Sequence, residues 1–220
     1  MREKVIFQVN DKKVIAIVRG VYGTDCEYLV EALLEGGICL IEFTFDQNNP
    51  GDWNRTCKNI RMVCEKYQDR MICGAGTVLT VEQVILAKQA GAQFIVSPNT
   101  CHDVIEKTVQ LDMVSMPGAM TPSEVVEAAE YGADFVKIFP TAQLGSAYIK
   151  ALCGPLNHIP LLAVGGVNEH NVGEFIEAGA RGVGIGGNLV NKKWIASGEF
   201  EKIVEIARMV IKNCDEEAKR

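Results

Sequence analysis

The chain has 220 residues, of which 48% are hydrophobic and 23% charged, so it is long enough to bury the core of one large domain. Its net charge of −6 is spread along the chain without a basic stripe, which argues against nucleic acid and anionic membranes as partners. No hydrophobic run reaches the length that spans a bilayer, and the N-terminus lacks the apolar core of a secretion signal. We therefore predict a cytoplasmic protein that acts on small molecules.

Short apolar runs alternate with longer segments of helical spacing along the whole chain. Residues 1–12 precede the first run and predict an extra N-terminal helix. The runs are eight in number: Val14–Val18, Cys39–Phe43, Met71–Gly74, Phe94–Ser97, Met113–Met116, Phe135–Phe139, Leu161–Val164 and Gly182–Ile185. We interpret them as strands because they are short and rich in β-branched residues.

The segments between the runs carry helix start and stop signals. Thr80 precedes Gln83 and Thr121 precedes Glu124 by three residues, which is the capping-box pattern. Eight strands that alternate with helices imply a parallel sheet, and a closed (β/α)₈ TIM barrel is the natural solution. An open doubly wound sheet is the alternative, but no G-x-G-x-x-G follows the first strand. No linker divides the chain, so residues 1–220 are predicted to form one domain.

The sequence predicts neither a metal site nor a disulfide framework. Its eight cysteines form no Cys-x-x-Cys pair, and its three histidines have no metal-ligand spacing. We interpret the cysteines as reduced, several of them as small core residues, and expect no cofactor.

Lys137 stands inside an apolar run, where lysine is unusual. On a strand, Phe135, Lys137 and Phe139 share one face, and Val136 and Ile138 share the other. Burial lowers the pKa of a lysine and leaves a neutral amine suited to Schiff-base chemistry. An edge lysine that extends its ammonium group to water explains the run equally well.

Glu42 also lies in an apolar run, on the same face as Leu40 and Thr44. In a barrel this face points inward, so Glu42 is expected to reach the same cavity as Lys137. The two groups form either a structural ion pair or an acid/base and nucleophile set. A position near the C-terminal ends of the strands favours the second interpretation.

Glycine-rich segments follow several of the predicted strands. Gly165-Gly166 and Gly186-Gly187 end the last two strands, where many barrels bind a phosphate group, although a pair of glycines also suits a tight turn. Residues 74–77 offer free N–H groups and a hydroxyl to a small carboxylate, or make a simple turn. Arg19 can bind a carboxylate or remain a solvated loop charge.

Several motifs together resemble one known family. They are Ile41-Glu42, Gly74-Ala-Gly-Thr-Val78, Ser97-Pro98, Met116-Pro-Gly118, Val136-Lys-Ile-Phe-Pro140 and Gly165-Gly-Val167. In this order they resemble the 2-keto-3-deoxy-6-phosphogluconate (KDPG) and 4-hydroxy-2-oxoglutarate (KHG) aldolase family over nearly the whole chain. The resemblance implies a metal-independent class I aldolase, a (β/α)₈ barrel and a homotrimer.

The resemblance also implies a role for individual residues. Lys137 corresponds to the Schiff-base lysine, Glu42 to the general acid/base, and Thr77 to a ligand of the pyruvyl carboxylate. Gly166, Gly187 and Asn188 fall where the family binds the substrate phosphate. The full set of candidate substrate-binding residues is Arg19, Thr44, Thr77, Pro98, Phe139, Val164, Gly165, Gly166, Gly187 and Asn188.

The implied reaction is cleavage of KDPG to pyruvate and glyceraldehyde 3-phosphate, with KHG as a further substrate. The alternative substrate is the 6-phosphogalactonate epimer. A more distant alternative is a sugar-phosphate isomerase or epimerase, or a phosphate-binding barrel without imine chemistry.

Three positions depart from the common family pattern. Many members carry an arginine soon after the glutamate, where this chain has Phe45-Asp46-Gln47, and the resemblance to another branch implies that Arg19 replaces it. Many gluconate-type members have threonine where this chain has Val164, which is similar to the phosphogalactonate branch. Asn188 stands where serine is common.

Overall fold

The computed structural model describes residues 2–218. Its strands are β1 Val14–Val18, β2 Leu40–Thr44, β3 Ile72–Gly76, β4 Phe94–Val96, β5 Val114–Met116, β6 Gly118–Ala119, β7 Val136–Ile138, β8 Leu161–Val164 and β9 Gly182–Ile185. Its helices are α1 Arg2–Lys12, α2 Thr24–Glu35, α3 Trp53–Lys66, α4 Val81–Ala90, α5 His102–Gln110, α6 Pro122–Glu130, α7 Ser146–Cys153, α8 Val172–Glu177, α9 Lys192–Ala196 and α10 Phe200–Ala218, with a 3₁₀ turn at Pro50–Asp52.

The strands form one parallel sheet in the order β5-β4-β3-β2-β1-β9-β8-β7-β6. β5 corresponds to the predicted strand Met113–Met116, and β6 continues it beyond Pro117, which has no N–H to donate to the ladder. The carbonyl of Pro117 accepts a hydrogen bond from Lys137 N at 2.8 Å, and that of Ala119 accepts one from Phe139 N at 3.1 Å. Because β5 and β6 follow each other directly along the chain, the two ends of the sheet meet, which confirms the predicted (β/α)₈ barrel.

The predicted helix signals are present in the structure. Thr80 and Gln83 form a complete capping box at the start of α4, as do Thr121 and Glu124 at the start of α6. Gly91 ends α4 with a φ of 100°, a conformation that glycine adopts without strain. No helix within residues 2–218 is both long and apolar enough to cross a membrane.

The protein has two apolar cores, one on each side of the sheet. The larger lies between the strands and the surrounding helices and includes Val136 and Ile138. The smaller fills the barrel at the N-terminal ends of the strands and consists mainly of Ile15, Leu40, Ile72, Phe94, Val114, Phe135 and Leu162. Side-chain alternation along each strand separates the two cores.

Helix α1 covers the N-terminal end of the barrel and confirms the predicted extra helix. Val5 and Val9 on this helix are fully buried in the smaller core. Arg2 forms an ion pair with Asp134 at 2.9 Å, and the carboxylate of Asp134 accepts a hydrogen bond from Ser115 N at 2.9 Å. The barrel is therefore closed at this end and can admit a ligand only at the opposite one.

Candidate active site

A cavity of about 860 Å³ opens at the C-terminal ends of the strands. Barrel enzymes place their chemistry at this end. Eleven of the twelve predicted site residues line it: Arg19, Glu42, Thr77, Pro98, Lys137, Phe139, Val164, Gly165, Gly166, Gly187 and Asn188. Residues from seven of the eight predicted strands or the loops that follow them thus meet in one place.

Thr44 is the predicted site residue that does not line the cavity. It is the last residue of β2, pairs in register with Gly76 and is 5% exposed. Its carbonyl oxygen accepts a hydrogen bond from the hydroxyl of Thr56 on α3 at 3.2 Å. The inward-facing position on β2 that reaches the cavity is Glu42, one step deeper in the barrel.

Lys137 is buried in the barrel, with 7% of its surface exposed. Its neighbours Val136 and Ile138 face the outer core, so strand alternation turns the lysine inward. Its Nζ lies 4.8 Å from the centroid of the Phe139 ring. Burial lowers the pKa of Lys137, the negative charge of Glu42 opposes this shift, and the guanidinium group of Arg19 adds to it.

Glu42 is 2% exposed, and its Oε2 has no hydrogen-bond partner within residues 2–218. Burial raises the pKa of this carboxyl group, and the positive charges of Lys137 and Arg19 partly oppose the shift. A buried acceptor without a partner is costly and is uncommon in folded proteins. It is, however, available to take a proton from a molecule in the cavity.

Gly76 provides the space that the Glu42 carboxylate occupies. A Cβ atom at position 76 would lie 2.8 Å from both Cδ and Oε2 of Glu42, a separation too short for a real contact. Any side chain at this position would therefore push the carboxylate out of its place. The last glycine of β3 has a steric role that the sequence alone did not reveal.

The pKa values of Lys137 and Glu42 are shifted in opposite directions. The lowered pKa of the amine increases its neutral, nucleophilic fraction, and the raised pKa of the carboxyl group brings its titration closer to neutral pH. Opposite shifts of two groups in one cavity are typical of a nucleophile and its proton-transfer partner. The site can thus carry out covalent attack on a carbonyl carbon with assisted proton transfer.

Two linked amide side chains, the half-buried Gln47 and the buried Gln83, hold the turn at Thr77, whose φ of 54° is unusual for a β-branched residue. Gln47 Nε2 donates a hydrogen bond to the Thr77 carbonyl at 2.6 Å, and Gln83 Nε2 donates to Gln47 Oε1 at 3.0 Å. Gln83 Oε1 accepts from Leu79 N at 2.7 Å. These bonds fix the backbone that presents Thr77 to the cavity.

The loops after β8 and β9 form the other wall of the cavity. Gly165 and Gly166 have φ values of 96° and 83°, and a side chain on Gly166 would overlap Ala142. Apart from Gly187 and its chain neighbours, no atom of residues 2–218 lies within 4 Å of the position that a Cβ of Gly187 would take. The Asn188 side chain donates to the Val167 carbonyl at 3.0 Å and so joins the two loops. Their backbone is open to a ligand.

The comparison with known proteins identifies the family. The model of the KDPG and KHG aldolase family matches residues 5–206, which is most of the chain. The chain belongs to the KDPG and KHG aldolase family. The family and the names of its members show that the protein is an aldolase, which is a carbon–carbon lyase of the KDPG aldolase type.

Two curated relatives of this KDPG/KHG aldolase are similar over most of their length. The 2-dehydro-3-deoxy-6-phosphogalactonate aldolase of Escherichia coli is 38% identical over 176 residues, which are 80% of this chain and 83% of the relative. The 2-dehydro-3-deoxy-phosphogluconate aldolase of Haemophilus influenzae is 32% identical over 211 residues, 95% and 96% of the two chains.

Two solved structures are also similar to this chain over nearly all of its length. A native KDPGal structure has a TM-score of 0.84 and 34% identity, covering 94% of this chain and 96% of that one. The KDPG aldolase of Legionella pneumophila, captured with pyruvate as a covalent carbinolamine intermediate, has a TM-score of 0.83 and 26% identity, covering 96% and 98%.

Sequence reasoning missed several residues of this KDPG/KHG aldolase. Gln47 was noted only for the arginine it replaces, although it supports Thr77. Lys192 and Lys193 were assigned no role, and both line the cavity. The signal that could have found them is their position four and five residues after Asn188, since the segment that follows a predicted phosphate loop is close to its ligand.

Proposed function

We propose that the protein is a class I Schiff-base aldolase that cleaves KDPG to pyruvate and glyceraldehyde 3-phosphate, with KHG as a further substrate. The observation that carries the proposal is the buried Lys137 amine in one cavity with the unpartnered Glu42 carboxylate. The shared family and the covalent pyruvate adduct of the Legionella relative support it. No step of the mechanism requires a cofactor.

Lys137 is the nucleophile of the proposed mechanism. Its neutral amine attacks the C2 carbonyl carbon and forms a carbinolamine, which loses water to give a protonated imine. Glu42 accepts the proton of the C4 hydroxyl as the C3–C4 bond breaks, and the bonding electrons move into the imine to form an enamine. Glu42 then returns a proton to C3, and water hydrolyses the imine to release pyruvate and the free Lys137 amine.

The two anionic ends of the substrate are assigned to two groups of residues that line the cavity. Thr77 and Arg19 bind the carboxylate next to the reacting carbonyl. Arg19 replaces the arginine that many family members carry and that is absent from residues 45–47 of this chain. The open backbone at Gly166 and Gly187 binds the phosphate with Asn188, because unobstructed N–H groups suit phosphate oxygens. Pro98, Phe139, Val164 and Gly165 also line the cavity.

Reductive trapping tests this function. The protein is incubated with pyruvate and sodium borohydride, digested and analysed by mass spectrometry. We expect one pyruvyl adduct per chain, on the peptide that contains Lys137, because burial lowers the pKa of this lysine. A reaction without pyruvate is the control. A protein without the adduct would instead be an isomerase, an epimerase or a phosphate-binding barrel.

The 6-phosphogalactonate epimer is a second candidate substrate, and a specific residue favours it. Val164 is 5% exposed, lines the cavity, and stands where many gluconate-type members have threonine. A valine offers no hydrogen bond to a C4 hydroxyl, so it cannot discriminate the C4 configuration by that means. The similarity to the phosphogalactonate aldolase of Escherichia coli supports the same choice.

Val164→Thr is expected to change the preference between the two epimers. Threonine has nearly the shape of valine and adds one hydroxyl, so we expect the ratio of kcat/KM for phosphogluconate over phosphogalactonate substrate to rise about tenfold, as for one added hydrogen bond. Coupled-assay kinetics with both epimers measure this ratio. Val164→Ala is the control for volume, and an unchanged ratio in Val164→Thr would remove Val164 from substrate selection.

We also propose a homotrimer and a cytoplasmic location. The family resemblance supports both, and sedimentation equilibrium tests the first, since a trimer has three times the 24.0 kDa of one chain. Cell fractionation tests the second.

A further inference from the structure

Lys192 and Lys193 lie at the mouth of the cavity, beside the loops proposed to bind phosphate. Both side chains are exposed and line the same cavity as Gly166, Gly187 and Asn188. Their backbone is fixed, because the Asn191 side chain accepts a hydrogen bond from Lys193 N at 3.0 Å at the start of α9. The two amines therefore extend from an ordered segment over the cavity.

Neither lysine has an acidic partner within residues 2–218. Some other surface lysines are paired, as Lys66 is with Glu27 at 2.6 Å. The charges of both amines are therefore available to an anion in the cavity that they line.

Lys192 leans across the cavity mouth toward the loop after β1. Its Nζ lies 3.3 Å from the position that a Cβ atom on Gly20 would take, next to Arg19. The absence of a side chain at Gly20 leaves this space to the amine. Cationic groups from the loops after β1 and β9 are thus brought to the same rim.

The charge of the cavity is opposite to that of the whole chain. Its ionisable lining consists of four basic side chains, Arg19, Lys137, Lys192 and Lys193, and one acidic side chain, Glu42. The chain as a whole has a net charge of −6. The positive potential of this cavity attracts anions from solution, and it attracts those with the highest charge most strongly.

We propose that Lys192 and Lys193 contact the distal phosphate of the substrate and make the enzyme discriminate against analogues without a charged distal group. This inference rests on the proposed aldolase function. Backbone N–H groups bind oxygens of any charge, whereas ammonium groups add a Coulomb attraction that grows with the charge of the ligand. A phosphate group, which carries nearly two negative charges, gains the most from this attraction, and a neutral hydroxyl group gains nothing.

Kinetics of Lys192→Ala, Lys193→Ala and the double variant test the proposal. For the phosphorylated substrate we expect KM to rise about three- to tenfold for each single variant and further for the double, with kcat changed less than about twofold, since exposed charge pairs contribute modestly. For the dephosphorylated 2-keto-3-deoxy acid, KM should stay within about twofold. Lys192→Arg should restore much of the loss because it keeps the charge.

Lys150→Ala is the matched control, because Lys150 is an exposed lysine on α7 that does not line the cavity and its removal changes the net charge equally. Inorganic phosphate serves as a second probe. Its inhibition constant should rise in the Lys192 and Lys193 variants and depend less on ionic strength than in the wild type. Equal losses on both substrates, or a loss as large in Lys150→Ala, would overturn the proposal.

The failure of this proposal is distinguishable from the failure of the proposed function. Pyruvate trapping on Lys137 reports the imine chemistry and does not involve the phosphate. An intact adduct with unchanged phosphate discrimination in the variants rejects the role of Lys192 and Lys193 alone. Absence of the adduct in the wild type rejects the aldolase.

Discussion

Lys137→Met is expected to abolish the cleavage reaction, lowering kcat/KM by at least about four orders of magnitude, which is the scale of losing a covalent nucleophile. Methionine keeps most of the volume of the lysine stem but has no amine, so no imine can form. Stopped assays with high enzyme concentration measure the residual rate, and borohydride trapping checks the adduct. Residual activity within tenfold of the wild type would contradict the assignment of Lys137 as the nucleophile.

The same variant is expected to be more stable than the wild type at neutral pH. Burial lowers the pKa of Lys137 in the folded state, so between this pKa and the unfolded value of 10.5 the unfolded chain binds more protons. The contribution of Lys137 to stability therefore increases as pH rises through that range and is unfavourable below it. Methionine removes this cost, and chemical denaturation at several pH values up to 10.5 should show the advantage of Lys137→Met shrinking as the pH approaches 10.5.

Glu42→Gln is expected to lower kcat by about 10²- to 10⁴-fold, the usual contribution of a general acid/base. Glutamine is nearly isosteric and leaves Lys137 in place, so pyruvate trapping should persist at a reduced rate. The variant thus separates imine formation from carbon–carbon bond cleavage. Glu106→Gln is the control, since Glu106 is an exposed acid on α5 that does not line the cavity.

The pH profile provides an independent measurement for Glu42. Burial raises its pKa above the ordinary 4.5, and cleavage needs the deprotonated carboxylate. The wild-type rate should therefore rise with pH through a value above 4.5, and this limb should disappear in Glu42→Gln. Gly76→Ala should also lower kcat, because it displaces the same carboxylate without removing it. An unaltered acid limb in Glu42→Gln would assign the proton transfer to another group.

The barrel and the shared cavity of Lys137 and Glu42 could be predicted because they depend on local patterns. Strand alternation placed Lys137 and Glu42 inside, and capping boxes marked α4 and α6. The interruption between β5 and β6 at Pro117 was not predicted, and it follows from the missing N–H of proline. Local periodicity was sufficient wherever the position of a residue depended only on its own strand or helix.

The remaining residues depended on contacts between distant segments. Gln47 supports Thr77 from 30 positions away, and Gln83 completes the chain of amides from α4. Lys192 lines the cavity with its amine close to Gly20, which comes from the other end of the chain. Thr44 shows the opposite case, since alternation placed it on the correct face, but the end of β2 is covered. No periodic pattern encodes such contacts.

The helix that seals the barrel determines the order in which molecules enter and leave. Val5 and Val9 close the N-terminal end, and Lys137 lies inside the barrel and lines the cavity with the loops that follow β8 and β9. The aldehyde product therefore occupies the space between the attached three-carbon fragment and the mouth. In cleavage glyceraldehyde 3-phosphate must depart before pyruvate, and in synthesis pyruvate must bind before the aldehyde. A chamber with one opening imposes an ordered kinetic sequence on the reaction, and product-inhibition patterns would reveal it.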